Sequence, residues 1–389
     1  MKSIINQCYQ KSIELLTKNS CQSGIMASSL CARAQQRNYL NIFARDTGIC
    51  SLGILTSGNK KLIHLVKKSL LILGRFQASN GQIPNYVNPD TNYINFWRMG
   101  CIDATLWWLI AIKYYERYTG DKNFILQLKN KIKKAITWLS CQEHPIDKLL
   151  VQNEASDWAD IMPRSGCVLY TNALWYKVKT LYKIRDTQIT KENFNAIFYP
   201  FNTPLNKFPQ HNQTTIKAIQ NFKKKDYYLS FVNYLFWGND FDVYGHSLAI
   251  IFDVIADKHQ KIITKNILKR QKSKNLPVPV LFNPISKKSK LWRRFMESHN
   301  QNYPYKYHNG GIWPFAACFF VLALAKIGNK KQALKELGKI AYANSLNNWQ
   351  FNEWLHGKTG KPMGMPGQSW NAGAFIFAKN ILDNKQLNI

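Results

Sequence analysis

Acidic residues are the scarcest charged species in this chain: 22 Asp and Glu stand against 53 Lys and Arg. Any chemistry that needs carboxylates therefore has few to choose from. Long apolar runs are missing too. Lys, Asn or Glu interrupts every hydrophobic stretch before the roughly 18 residues needed to span a bilayer, so no membrane partner is expected. The N-terminus, MKSIINQCYQKSIELL, is punctuated by polar residues and reads as an amphipathic helix, not a secretory leader. The cytoplasm is the expected compartment. No CxxC pair joins the eight cysteines, most of which sit in apolar helical contexts, as suits reduced and buried thiols. The eight histidines form no HExxH or Cys/His cluster, and GxGxxG, P-loop and GxSxG sequences are all missing. No metal and no cofactor is expected.

What is present excludes a disordered chain: 46% of residues are hydrophobic and 13% aromatic, and 389 residues suffice for a large core. The net charge of +31 is spread along the chain, often beside Asn and Ile, with only short clusters such as Lys223-Lys224-Lys225 and Lys287-Lys288. That distribution fits solvated faces, so no specific nucleic-acid partner is expected. A polyanion-binding protein would instead focus its lysines on one face.

Helical periodicity dominates, and strand-like alternation is almost absent. It predicts helices over 3–18, 45–57, 60–78, 100–119, 122–141, 168–185, 215–236, 243–257, 258–270, 313–327, 329–346 and 368–386, twelve in six consecutive pairs. Short Gly- or Asn-bearing turns join partners, as at Gly58-Asn59, Gly120-Asp121 and Gly328-Asn329. Longer loops rich in aromatics, Pro and Asn separate the pairs. This alternation predicts an all-α chain of one domain, 1–389, folded as an (α/α)6 toroid with its long loops on one rim. Residues 187–214 and 271–305 carry no helical periodicity and read as excursions on that rim or a cover over it.

The rim loops hold the candidate chemistry. Asp160 lies in Asp157-Trp158-Ala159-Asp160-Ile161-Met162, where apolar neighbours would raise the pKa of a proton donor. Asp before an apolar periodic run is equally a helix cap, and spacing alone leaves both readings open. Asp157 is the better capping or loop-bracing candidate. Glu353 sits among Phe351, Trp354 and His356, followed by Gly357 and Gly360, which suits a loop pressed against a ligand. A surface Glu beside a packed Trp is the plainer alternative. Arg45-Asp46 is either an ion pair bracing a loop or a grip on two sugar hydroxyls. Trp97 and Trp313 are the candidate stacking surfaces for sugar C–H faces, while Trp107 and Trp108, being adjacent on a helix, must face different ways.

These segments together resemble the six-hairpin toroid glycoside hydrolases, especially the amylo-α-1,6-glucosidase domain of glycogen debranching enzymes and the neutral/alkaline invertases. Trp158-Ala159-Asp160, Arg164-Ser165-Gly166 and Asn172-Ala173-Leu174-Trp175-Tyr176 are similar to the debranching segment in which Trp-x-Asp supplies the general acid. Arg45-Asp46, Gly81-Gln82-Ile83-Pro84, Asp103 through Trp108 and Tyr118 through Asp121 resemble the invertases. Gly311-Ile312-Trp313-Pro314, Glu353 and Gln368-Ser369-Trp370 fall where these families carry a second carboxylate and a Gln-x-Trp. The likeness covers about residues 23–380.

It implies a carbohydrate substrate, with Asp160 as general acid and Glu353 as base in an inverting hydrolysis of a glucose-containing α-glycoside. Sucrose hydrolysis and a degenerate, non-catalytic carbohydrate-binding toroid are the alternatives. Arg45, Asp46, Trp97, Asp103, Trp158, His308, Trp313, Gln368 and Trp370 are the expected substrate contacts. The chain departs from both subfamilies, having Tyr170-Thr171 where debranching enzymes place an acid and Ile161-Met162 where invertases pair arginines. A toroid without the further domains of debranching enzymes is expected to act on a small glycoside. Nothing in the sequence sets an oligomeric state.

Overall fold

The computed structural model describes residues 2–88, 90–222 and 224–384. The chain opens with α1 (Lys2–Lys18) and the short α2 (Ala32–Gln36). Hairpins follow: α3 (Ala44–Ser57) with α4 (Lys60–Arg75), α5 (Ile102–Thr119) with α6 (Lys122–Ser140), and α7 (Leu169–Tyr182) with α8 (Thr187–Phe198). After α9 (Gln210–Gln220) come α10 (Val243–Ile251) with α11 (Asp257–Arg270), α12 (Pro314–Lys326) with α13 (Lys330–Trp349), and finally α14 (Ser369–Leu382).

Helices α3, α5, α7, α10, α12 and α14 pack each on the next, and α14 returns to α3, so the inner ring is closed. Burial separates the inner ring from the outer helices. Every residue of α12 from Pro314 to Leu324 is buried, whereas α4 buries Leu62, Leu65, Val66, Ser69, Leu70 and Leu73, spaced as one face of an outer helix. Asn59, Asp121 and Asn329 cap α4, α6 and α13 by accepting from the N–H three residues on. The ring closes on glycine: a Cβ on Gly53 of α3 would lie 2.0 Å from the carbonyl oxygen of Gly373 in α14.

The expected toroid is therefore present, with three differences. The pairing is shifted, because α1 backs α14 and α13 instead of forming a hairpin with α3. Within 187–214 the chain does form a helix, α8, followed by short 3-10 turns at Pro200–Asn202 and Leu205–Lys207 and the start of α9. The helix expected over 215–236 ends at Gln220. Beyond it Phe231 and Val232 pair as a strand with Cys167 and Val168, aromatic and β-branched residues taking the sheet over the helix. The last two residues expected for the 368–386 helix lie outside the described ones. Residues 271–305 pack on the rim, where Arg293 binds Glu154 at 2.8 Å and the Asn302 amide donates to Ile161 O at 2.7 Å. The strands of the described residues are two or three residues long and form four small antiparallel sheets. No described helix is long and apolar enough to cross a membrane.

Candidate active site

Each inner helix begins at the loop rim, and its second residue points toward a shared floor. Those residues are Arg45, Asp103, Tyr170, Tyr244, Phe315 and Trp370. They touch in ring order. Arg45 Nη1 meets Asp103 at 3.3 Å, and the Tyr170 hydroxyl donates to Asp103 Oδ2 at 2.9 Å. The rings of Tyr170 and Tyr244 lie 5.2 Å apart, Tyr244 and Phe315 5.3 Å, and Phe315 and Trp370 stack at 4.0 Å. The Arg45 guanidinium over Trp370, at 5.8 Å, closes the circle. Trp158 lies on this floor, edge-on to Tyr244, Phe315, Trp313 and His308.

Above the floor lies a cavity of about 190 Å³ lined by Arg45, Asp46, Trp97, Asp160, Glu353, Gln368 and Trp370 from the expected set, joined by Tyr39, Asn85 and Tyr86 among others. Asp160 and Glu353, 193 positions apart in sequence, thus face one space. A larger concavity of about 710 Å³ lies elsewhere, lined by Lys269, Arg270, Lys272 and Lys358 and by no carboxylate. It lacks the groups that acid–base chemistry needs.

The two carboxyls have opposite surroundings. Asp160 has no hydrogen-bond donor among the described residues, and His308 Nδ1 stands 3.8 Å from its Oδ1. Burial above all pushes its pKa up to about 7, with Glu353, Asp157 and Asp103 adding to the rise against the pull of Arg45. One third of its side chain remains open to the cavity (33%). Glu353 is also raised by burial, but it receives two donors that favour its ionised form. The Tyr39 hydroxyl donates to Oε1 at 2.7 Å and the Met365 backbone N–H to Oε2 at 2.9 Å. Asp46, in the first turn of α3, is raised by burial to about 6 although Arg45 opposes the shift.

The helix-cap reading of Asp160 is overturned by the geometry. Helix α7 starts at Leu169 with Val168 as its cap residue and no side-chain cap bond. Asp157 is the brace: it accepts from Ala159 N at 2.8 Å, Gln152 Nε2 at 2.8 Å and Arg164 Nη2 at 2.6 Å. Arg164 also reaches Asp242, whose other oxygen caps α10 through Gly245 N, so the loop carrying Asp160 is tied to the next inner helix.

Four expected substrate contacts lie behind the cavity wall. Asp103 is fully buried against Arg45 and Tyr170, which makes it a brace. Trp313 is fully buried, stacked on His308 at 5.0 Å, and so offers no face to a sugar. Trp158 and His308 are buried with them, and burial holds His308 well below its ordinary pKa and therefore neutral. Trp97 does stand at the lip, 37% exposed, its indole N–H held by Ala155 O at 2.9 Å. Trp107 and Trp108 split as expected, one donating to the Tyr170 hydroxyl and the other to Leu70 O. The glycines after Glu353 press on protein: Gly357 on Gly310 and Gly360 on Leu276. The close approach to Glu353 is made by Gly364, where a Cβ would lie 2.4 Å from Oε2.

Sequence reasoning missed Tyr39 and Asn85. The only available signal for Tyr39 was its place in the polar loop just before Arg45-Asp46, and no spacing rule links it to a glutamate 314 positions on. Several buried polar atoms along the cavity have no hydrogen-bond partner among the described residues: both amide atoms of Gln368, Trp370 Nε1, Asn85 Oδ1 and Arg45 Nε. Such atoms suit a ligand rich in hydroxyls.

A closed ring of helical hairpins with a carboxylate-lined cavity on its loop rim is the architecture of the six-hairpin glycosidases. The chain belongs to the amylo-α-1,6-glucosidase family, whose model matches residues 28–376. It is 22% identical over 356 residues to alkaline/neutral invertase C, mitochondrial, of Arabidopsis thaliana, covering 80% of this chain and 52% of that protein. Identity to neutral/alkaline invertase 1, mitochondrial, of Oryza sativa subsp. japonica is 23% over 348 residues, 77% of this chain and 54% of the relative. The chain thus spans about half the length of these curated relatives. Among solved structures, a mannosylglycerate hydrolase from Thermus thermophilus matches with a TM-score of 0.68 at 12% identity, over 95% of this chain and 99% of that one. At that identity the likeness speaks for the fold alone.

Proposed function

We propose that this protein is a glycoside hydrolase that uses Asp160 as general acid and Glu353 as general base. The observation that carries the reading is the contrast between two carboxyls on one small cavity, Asp160 without donors among the described residues and Glu353 with two. Hydrolysis of a glycosidic bond needs a proton given to the departing oxygen and a nucleophile raised at the anomeric carbon. Asp160, with a pKa near neutrality, keeps its proton long enough to give it. Glu353, whose ionised form Tyr39 and the Met365 N–H favour against the effect of burial, is the carboxylate that would draw a proton from water. We take the course as inverting, with water between Glu353 and the anomeric carbon.

The substrate follows from size and lining. A cavity of about 190 Å³ suits one sugar ring, with Asp46, Gln368 and Asn85 toward its hydroxyls and Trp97 at the lip for the departing group. A short α-glycoside of glucose fits this better than a polymer. The family's α-1,6 linkage and the invertases' sucrose are the two linkages to try first. We place the protein in the cytoplasm, where its eight free thiols would persist.

The test is a hydrolysis screen on sucrose, isomaltose, maltose and a branched glucan, wild type against Asp160→Asn, with the first anomer released read by proton NMR. Wild type is expected to release glucose of inverted configuration, and the variant to lose about 10²–10⁴-fold in rate. Glycoside turnover retained in Asp160→Asn would remove the acid assignment. A non-catalytic toroid would bind sugar equally in both and release none.

A further inference from the structure

Away from the cavity, three side chains meet between distant segments. His144 and Asp147 lie in the turn between α6 and the strand Val151–Gln152, and His211 is in the first turn of α9. Asp147 is buried, while the two imidazoles are about one-third exposed, at 33% and 35%. His144 Nδ1 lies 3.3 Å from Asp147 Oδ2, and His211 Nε2 lies 3.2 Å from that same oxygen. All three ligand atoms fall within 4.8 Å of one another.

We propose that His144, Asp147 and His211 bind a divalent metal ion of the zinc type, with water in the remaining position. A tetrahedral ion with bonds of about 2.0–2.1 Å has ligand atoms about 3.3 Å apart, so two of the three edges already have the right length. Two imidazoles on one such ion have ring centroids about 5 Å apart. The rings of His144 and His211 are 4.8 Å apart. Hydrogen bonds from a protonated imidazole to a carboxylate run shorter, at about 2.7–2.9 Å, so the spacing matches coordination better than ion pairing.

The surroundings fit as well. The Asn212 side-chain amide donates to Asp147 Oδ1 at 2.9 Å, orienting the carboxylate and leaving Oδ2 for the ion. His211 Nε2 also stands 3.2 Å from Oδ1. The Asp147 backbone N–H points at His144 Nδ1 at 3.2 Å, and the ion would take that place. Two imidazoles and one carboxylate form a donor set suited to Zn²⁺ and poorly suited to Ca²⁺ or Mg²⁺.

The pattern H-x-x-D with a second histidine 64 positions after the aspartate matches no sequence motif. Its consequence is mechanical. The ion would clamp the start of α9, inside the excursion over 187–214, to the turn that leads into the loop bearing Asp160. The site does not rest on the proposed hydrolase activity.

The full chain, stripped with chelator and desalted, is titrated with ZnCl₂ by calorimetry and followed by thermal unfolding. Co²⁺ serves as the spectroscopic probe. We expect one ion per chain and a Tm rise of about 3 °C at a hundred times Kd. His144→Gln and His211→Gln, both at partly exposed positions, should each weaken binding by at least 10-fold while the circular dichroism spectrum stays unchanged. Absence of a stoichiometric site in wild type, or equal Zn²⁺ binding by the double variant, would overturn the assignment.

Discussion

Tyr39→Phe isolates what keeps Glu353 ionised. The substitution removes one oxygen and leaves the ring, which packs toward Phe43 at 6.3 Å between centroids. The lost bond is the 2.7 Å donation to Glu353 Oε1, after which the Met365 N–H is its remaining hydrogen-bond donor among the described residues, with Arg33 and Arg37 acting at longer range. A hydrogen bond to an ionised group is worth about 1.5–3 kcal/mol, and one pKa unit is about 1.4 kcal/mol, so the Glu353 pKa should climb by about 1–2 units. In a reaction that needs Glu353 ionised and Asp160 protonated, Glu353 sets the acidic limb of the pH–rate profile. Asp160 sets the alkaline limb, near pH 7. The variant should therefore lose about 10–100-fold in kcat/KM on the acidic side and far less near neutrality, while the alkaline limb stays put. The assay is kcat/KM against pH from 4 to 9 for both proteins on the substrate found in the screen. A uniform loss across pH, or movement of the alkaline limb alone, would refute the assignment of Glu353 as the base.

Two other substitutions probe the supports of the site. Gly364→Ala puts a Cβ 2.4 Å from Glu353 Oε2 at a residue whose φ is 77°. It should cost about 1–2 kcal/mol from the left-handed backbone and lower kcat by at least 10-fold as Glu353 is displaced, read by denaturant titration and steady-state kinetics on one preparation. Arg164→Met leaves Asp157 and Asp242 buried without their shared cation and should destabilise the fold by about 3–5 kcal/mol at pH 8. The Asp242 pKa, already raised to about 6 by burial against the pull of Arg164, rises further without it. Protonation on acidification then removes the unpaired charge, so urea midpoints should converge with wild type as pH falls toward 5.

The toroid was legible because its signals are local. Asn59, Asp121 and Asn329 cap helices wherever they sit, and alternating short and long connections say which helix ends share a rim. Helix α8 was not legible, since the polar run at its start hides the few apolar positions, Phe194, Ile197 and Phe198, that it buries. At the site the sequence displayed carboxylates and aromatics on loops but not which side of the wall each would take. Trp97 and Trp313 look equivalent as rim tryptophans. One hangs at the lip from Ala155, and the other immediately precedes α12 and is enclosed by His308 and Trp370. Only long-range contacts separate them, and the same holds for Tyr39 and for His211 beside Asp147.

The ring itself explains how so many acids share one space. Six inner helices place their second residues on one floor, and the positive charge among those residues is Arg45. Asp103, the next in the ring, holds Arg45 in place from below, which frees the guanidinium to act on the carboxyls above it. Its pull lowers Asp46 and Asp160, though not enough to cancel the effect of burial. Glu353 is spared that dependence because Tyr39 and the Met365 N–H support it from loops outside the ring. One cation on the floor thus limits the rise of the Asp160 pKa, while separate donors favour the ionised form of Glu353 against its burial.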